Sequence, residues 1–378
     1  MSQAPIKVLL VEDSPVALNI LQRLLKSCPE ITIVGTASNG KEALELIPKL
    51  NPEVICTDLT MKGMDGLELT QQVMAKYPTP ILVISNSVQI YDKKNVFNLL
   101  QAGALDVFPK PKTGLESDYG KVKKQLLHKI KVISGVSVFR KPLRQTLASS
   151  INTKLSSTQT VSTSEAIKKI SEQEKGNIIA YLKATQDIAA FPVRVVAIGV
   201  STGGPRALNQ VISPLPKNFP VPIICTQHIS LGFLEGLVNW LDGECQLRIK
   251  IAQQGESPQP GTVYFAPENS HLQLTSQGKF IHSSTEAVDG HCPSATVMFQ
   301  SVAKFYGRKS LGILLTGMGR DGATGMKAIA EIGGMTIAQD EKSCIVFGMP
   351  KAAIEIGAAK HILPLQKIAP LLTKIQRP

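Results

Sequence analysis

Two groups of residues carry chemistry in this chain. The first is a set of carboxylates, Glu12 and Asp13 in VLLVEDS and Asp58 in ICTDLTMKGMDG, each placed just after a short apolar run. Three carboxylates brought to one edge repel one another unless a cation neutralises them. Mg²⁺ prefers hard oxygen ligands in an octahedron and is the expected ion. Ser85 and Lys110, each at the end of a further apolar run, would add a hydroxyl and an ammonium able to bind phosphoryl oxygens. Singly, an acidic residue after a strand is more often a helix cap than a ligand; the joint pattern is what points to phosphoryl chemistry.

The second group centres on Ser201. Gly199-Val200-Ser201-Thr202-Gly203 fits G-x-S-x-G, and Pro205 suits the first turn of a following helix. Such a turn exposes a hydroxyl above a sheet edge, with the helix N-terminus offering amides to a developing oxyanion. A glycine-rich turn or phosphate loop has the same outline, so the five residues do not decide the matter alone. The spacing is not the G-x-G-x-x-G of a dinucleotide site. A serine nucleophile needs a base. Of the six histidines, His228 follows the apolar run VPIICTQ and should share an edge with Ser201. The orienting carboxylate is Asp321, in LGILLTGMGRDGATG, or its rival Asp340, in AQDE; spacing does not choose between them. The order Ser–His–Asp differs from the Ser–Asp–His of ordinary α/β-hydrolases and predicts a different fold.

The elements that must position these residues alternate. Ile6–Val11, Ile31–Thr36, Val54–Thr57, Ile81–Ile84 and Asp106–Phe108 read as buried parallel strands. The stretches Val16–Lys26, Gly40–Leu50, Gly66–Tyr77 and Tyr119–Ile133 read as helices. This is a doubly wound five-stranded unit of flavodoxin-like type, in which ligands sit at the carboxyl ends of the strands. A second α/β pattern has strands at Val193–Val200, Val221–Thr226, Gly261–Ala266, Leu311–Thr316 and Met335–Ala338. Its helices fall at Pro205–Ile212, Phe233–Leu241, Ser294–Phe305 and Gly322–Ile332. Between the two, LASSINTKLSSTQTVSTS is rich in Ser, Thr and Gln and predicts a flexible linker, with a helix over Ser164–Ala190. The expected domains are 1–135, a linker over 136–190, and a mostly parallel α/β catalytic domain over 191–378.

The net charge is +12, concentrated between Lys121 and Ala190, where 13 Lys/Arg face 4 Asp/Glu. No zinc-finger or aromatic-interleaved pattern accompanies it, so a solvated linker is expected rather than a nucleic-acid site. The six cysteines form no C-x-x-C pair and read as reduced thiols. The N-terminus lacks a signal-peptide pattern, and no apolar run is long enough to span a membrane. A cytoplasmic, monomeric protein without membrane insertion is expected.

The pieces VLLVEDS, ICTDLTMKGMDG, ILVIS and GALDVFPKP resemble the receiver domain of two-component response regulators. The resemblance implies Asp58 as phosphoacceptor, Glu12, Asp13 and Asp58 as Mg²⁺ ligands, and Ser85 and Lys110 as phosphoryl partners. The pieces GVSTGG, TQHI, YFAPENSHL, HCPSATVMFQSVA, LLTGMGRDGATG and AQDEKSCIVFGMP resemble the catalytic domain of the CheB family, chemotaxis protein-glutamate methylesterases and glutamine deamidases. That resemblance carries the triad onto Ser201, His228 and Asp321, puts Thr202 and Met318 beside the site, and suggests an antiparallel strand within a largely parallel sheet. It implies methyl-accepting chemoreceptors as substrate and a sensor histidine kinase as phosphodonor, with no cofactor for the esterase. A response regulator with an inactive or differently targeted hydrolase domain is the rival reading. This chain departs from the family patterns at Lys62, Val107, Ser230, Glu268 and Thr296. Val107 stands where receivers often carry a switch aromatic, and Ser230 where a proline usually follows the histidine.

Overall fold

The computed structural model describes residues 4–86, 93–111, 116–138, 140 and 172–376. The Ser/Thr-rich stretch and the first part of the expected linker helix lie outside them.

The first unit has strands β1 (Ile6–Val11), β2 (Ile31–Ala37), β3 (Val54–Thr57), β4 (Ile81–Ser85) and β5 (Asp106–Pro109). They pair in parallel in the order β2-β1-β3-β4-β5. Around them lie α1 (Pro15–Lys26), α2 (Gly40–Leu50), α3 (Gly66–Lys76), α4 (Lys93–Ala102) and α5 (Glu116–Ser134). Helix starts are written locally: Ser14, Asn39 and Asp65 each accept an amide of the first turn. Helix α4 has no counterpart among the sequence expectations.

The second unit begins with α6 (Glu172–Ala190), β6 (Val195–Val200), α7 (Gly204–Ile212), β7 (Ile223–Gln227), α8 (Leu234–Glu244), β8 (Arg248–Ile251) and β9 (Thr262–Phe265). It continues with β10 (His271–Leu274), β11 (Phe280–Ser283), α9 (Ala295–Tyr306), β12 (Ser310–Leu314), α10 (Ala323–Glu331), β13 (Met335–Gln339), α11 (Met349–Glu355), β14 (His361–Leu363) and α12 (Leu365–Leu372). The order is β14-β13-β12-β6-β7-β9-β8, and each pairing in it is parallel. The antiparallel strand expected inside this sheet is instead a separate hairpin, β10–β11. A two-stranded ladder can be closed by a short turn, whereas joining a parallel sheet needs a crossover. All six residues of β6 are buried, as a central parallel strand with helices on both faces requires.

Helix α6 is anchored to the edge of this sheet: the Asp187 carboxylate lies 3.1 Å from Lys360 and 3.2 Å from His361 of β14. The two units also pack together. Helix α4 lies on α8, where the rings of Phe97 and Trp240 stack at 5.5 Å and 13°. The seam beside them keeps a cavity of only about 10 Å³, lined by Leu100, Leu105, Pro205 and Ile345 among others. That is space for roughly one water.

Candidate functional sites

At the carboxyl edge of the first sheet, Glu12 and Asp13 follow β1 and Asp58 follows the adjacent β3. One ligand oxygen from each lies within 4.8 Å of the others. The loop after β3 is packed tightly: a Cβ on Gly66 would stand 2.2 Å from the Asp58 carbonyl oxygen, so only glycine fits. Glu12 and Asp58 are buried and Asp13 is exposed. Lys110 Nζ donates to Asp58 Oδ2 at 2.7 Å and to Glu12 Oε1 at 2.9 Å. Burial raises the Asp58 carboxyl above its ordinary value despite the Lys110 contact, and Asp13 adds to the rise. Glu12 is raised by burial and by Asp58, against the pull of Lys110. Lys110, although burial opposes its charge, is held above its ordinary value by the two carboxylates. Glu12 Oε2 is buried with no hydrogen-bond partner among the described residues. An under-neutralised acidic cluster with an orphaned buried oxygen fits a hard divalent cation. Ser85 ends β4 on the same edge, but its hydroxyl is directed to the Asn86 carbonyl at 3.5 Å rather than to Asp58.

The second sheet reverses its chain order at β6, with β7 on one side and β12 on the other. Such a switch point opens a crevice at the carboxyl ends of the strands. Ser201 follows β6. Val200 pairs with Gln227, so the next register position sets Ser201 beside His228, and the His228 amide donates to the Val200 carbonyl at 3.0 Å. Asp321 comes from the loop after β12. His228 Nε2 and Asp321 Oδ2 are 2.8 Å apart. His228 Nδ1 is buried and makes no hydrogen bond among the described residues.

Asp321 is fully buried. Its Oδ1 accepts from Ser294 Oγ at 2.6 Å and from the amides of Thr296 and Gly322 at 3.0 and 2.9 Å. Its Oδ2 also accepts from the Ala295 amide at 2.7 Å. The carboxylate therefore sits on the N-terminus of α9, a ready anion site. Burial alone would raise its pKa. The His228 contact, the Ser294 hydroxyl and the Thr296 amide outweigh burial and hold it well below the usual carboxylate range. An ionised Asp321 fixes the proton of neutral His228 on Nε2 and leaves Nδ1 as acceptor. Asp340 is elsewhere: it caps the turn Glu341–Ser343 through the Ser343 amide and hydroxyl.

The Ser201 turn is braced from below. Gln227 Nε2 donates to the carbonyls of Ser201 at 2.9 Å and His228 at 2.7 Å. A Cβ on Gly317 would stand 2.7 Å from Ser201 Cβ, so the 316–319 loop can close on the serine only with glycine there. The Ser201 amide is committed to the Thr316 carbonyl at 3.0 Å. Met318 is exposed on that loop. Thr202 Oγ1 points across the seam to Asp106 Oδ2 of β5 at 3.4 Å. Gln227, Ser294 and His291, whose ring lies on His228, have no site role assigned from the sequence. The start of α9 had a signal, since Ser294 reads as an N-cap; a buried glutamine and a lone histidine had none.

The departures have definite places. Ser230 Oγ donates to the Val107 carbonyl of β5 at 3.1 Å. Glu268 accepts from the amides of Gly232 and Leu234. The Thr296 hydroxyl accepts from the Gly322 amide at 2.7 Å. Lys62 is exposed. Val107 and Phe108 are both buried.

Comparison with known proteins agrees with both halves. Residues 8–116 match the response regulator receiver domain and residues 196–372 the CheB methylesterase. A protein-glutamate methylesterase/protein-glutamine glutaminase of Nitrosospira multiformis is 38% identical over 98% of this chain and 97% of its own. One from Syntrophus aciditrophicus is 37% identical over 98% of each. The crystal structure of the Thermotoga maritima CheB methylesterase catalytic domain is 41% identical, covering 49% of this chain and 99% of its own, with a TM-score of 0.48.

Proposed function

Because this chain belongs to the family of protein-glutamate methylesterases/protein-glutamine glutaminases, we propose that it hydrolyses glutamyl methyl esters on methyl-accepting chemoreceptors under control of its own receiver domain. The His228–Asp321 pair beside Ser201, at the switch point of the sheet, carries this reading. His228 Nδ1 takes the Ser201 proton as Oγ attacks the ester carbonyl. Asp321 holds Nε2–H and balances the imidazolium. With the Ser201 amide committed, the amides of Thr202 and Met318 are the candidate donors to the oxyanion. The imidazolium returns the proton to the leaving methoxide, methanol departs, and water hydrolyses the acyl-enzyme to give glutamate. A glutamine side chain follows the same course with ammonia as leaving group. General base catalysis supplies about 10²–10⁴-fold and one oxyanion donor about 10²–10³-fold.

Asp58 is the proposed phosphoacceptor for a sensor histidine kinase, with Glu12, Asp13 and Asp58 to hold Mg²⁺, which would neutralise charge during phosphoryl transfer. Lys110, already on Asp58, would follow the phosphoryl group. No aromatic stands at the switch position, so the change would reach the esterase through β5 itself. Lys110 follows β5 directly, and the strand's Asp106 and Val107 touch Thr202 and Ser230. The unphosphorylated receiver thereby covers the cleft. No helix among the described residues is long and apolar enough to cross a membrane, consistent with action on the cytoplasmic part of a receptor. Methanol release from methylated receptor membranes, with and without an acyl-phosphate donor, tests the reading. Wild type should be activated, Asp58→Asn should not respond, and Ser201→Ala should be folded and inactive. A folded, active Ser201→Ala protein would refute it.

A further inference from the structure

The hydrogen bond to Asp321 fixes one end of the His228 imidazole, but Nδ1 has no partner among the described residues, so that bond alone leaves the ring free to tilt. A second group limits the tilt. The His291 ring lies parallel to His228, with centroids 3.7 Å apart and planes 3° apart.

His291 is itself held firmly. It closes a two-residue turn with Val288, the two exchanging amide–carbonyl bonds of 3.1 and 3.0 Å. The central Asp289 and Gly290 both have positive φ, 50° and 81°, as a tight hairpin turn demands. Three residues on, Ser294 donates to Asp321 Oδ1 and takes its own amide to His271 Nδ1 at 3.0 Å. The stacked ring and the orienting carboxylate are thus tied to one segment.

We propose that His291 is a positioning residue for the hydrolysis, a flat neutral plate that fixes the plane of His228 and faces its charge when the imidazolium forms. This rests on the reading of His228 as the general base. Burial lowers the His291 pKa to about 4, with the neighbouring His228 adding to the drop against Asp321. His128 and Lys129, on α5 of the receiver, lower it further. His291 is therefore uncharged at neutral pH and does not compete for the proton. A cation above an aromatic face is worth about 3- to 30-fold in an equilibrium.

The test uses the full chain with an acyl-phosphate donor and the variants His291→Phe, His291→Leu and His291→Ala. Methanol release gives kcat and KM across pH, and ¹⁵N shifts of the His228 ring report its tautomer without any turnover. His291→Phe keeps the plate and should retain kcat within about threefold and the Nε2–H tautomer. His291→Leu fills the volume without a flat face. It should lose about 3- to 30-fold in kcat at unchanged KM, with the ¹⁵N shifts displaced as the tilting ring loosens its Nε2–H bond to Asp321. His291→Ala should match His291→Leu; if it does not fold, His291→Leu decides. Equal kcat and shifts in wild type and His291→Leu, or equal damage in His291→Phe and His291→Leu, would overturn the proposal. An inactive wild type would instead count against the esterase reading, and the ¹⁵N shifts would still test the plate.

Discussion

The contact between Ser230 and Val107 makes the proposed gating measurable. Strand β5 is the edge of the receiver sheet, and the Val107 carbonyl finds its partner in the Ser230 hydroxyl at 3.1 Å rather than in another strand. Ser230→Ala removes that donor only where the units are docked. An opened receiver would give the carbonyl to water. One neutral hydrogen bond contributes about 0.5–1.5 kcal/mol net, and leaving the buried acceptor unpaired pushes the cost toward the upper end. At about 1.4 kcal/mol per tenfold, the open population should rise about 2- to 12-fold. If the docked form dominates without phosphorylation, the basal methanol-release rate should rise by that factor. The rate under saturating acyl-phosphate donor should not change, because the open form lacks the bond. Asp106→Asn should have a smaller effect, since its contact with Thr202 is 3.4 Å long and the Asp106 carboxylate is also paired with Lys129. A basal rate unmoved by Ser230→Ala would refute this account of the seam. So would an equal rise in both rates, which would place the effect in the chemistry.

Other expectations follow from the site. Asp321→Asn should lower kcat by about 10⁴-fold, because the wrong tautomer of His228 is then favoured. The folded Asp321 carboxyl is held below its ordinary value of about 4, so its contribution to stability is present above that pH and is lost as pH falls further. Unfolding midpoints should therefore fall less steeply below about pH 4 in Asp321→Asn than in wild type; parallel acid limbs would contradict the assignment. Gln227→Leu strips a donor shared by the buried Ser201 carbonyl and the half-buried His228 carbonyl and should cost about 1–3 kcal/mol in urea unfolding, with an unchanged midpoint as the contrary result. Mg²⁺ should raise the melting temperature of the unphosphorylated protein, and Asp13→Asn should weaken that response.

Much of the fold is legible because the central strands are buried on both faces and the starts of α1, α2, α3 and α9 carry a capping side chain. β1, β3 and α2 have the bounds their residues suggest, and most other expected elements end within a residue or two of the apolar run. The elements the pattern misses are short or lack a distinct stripe. β14 has only three residues, β10 and β11 have four each, and α11 and α12 each contain a proline near or within the helix. In these, tertiary packing supplies what the local pattern does not. The choice between Asp321 and Asp340 shows the limit for the site. Both follow strands on the same side of β6, and the contact of Asp321 with His228, the α9 amides around it and the capping bonds of Asp340 separate them.

The departures from the family pattern carry a related lesson. Val107 and Ser230 are separated by 123 residues. Each can be noticed alone, one as a missing aromatic and the other as a missing proline. Nothing in either neighbourhood says that they meet. Their contact depends on two sheets placing the end of β7 and the edge strand β5 side by side, and such placement depends on the whole set of apolar faces rather than on any window of sequence. A hydroxyl at position 230 gains a role only because a carbonyl on an unpaired strand edge needs a donor there. Proline could not supply one, since it has neither an amide hydrogen nor a side-chain donor. The two substitutions are therefore consistent with a seam in which a backbone–hydroxyl bond holds the receiver against the Ser201 turn.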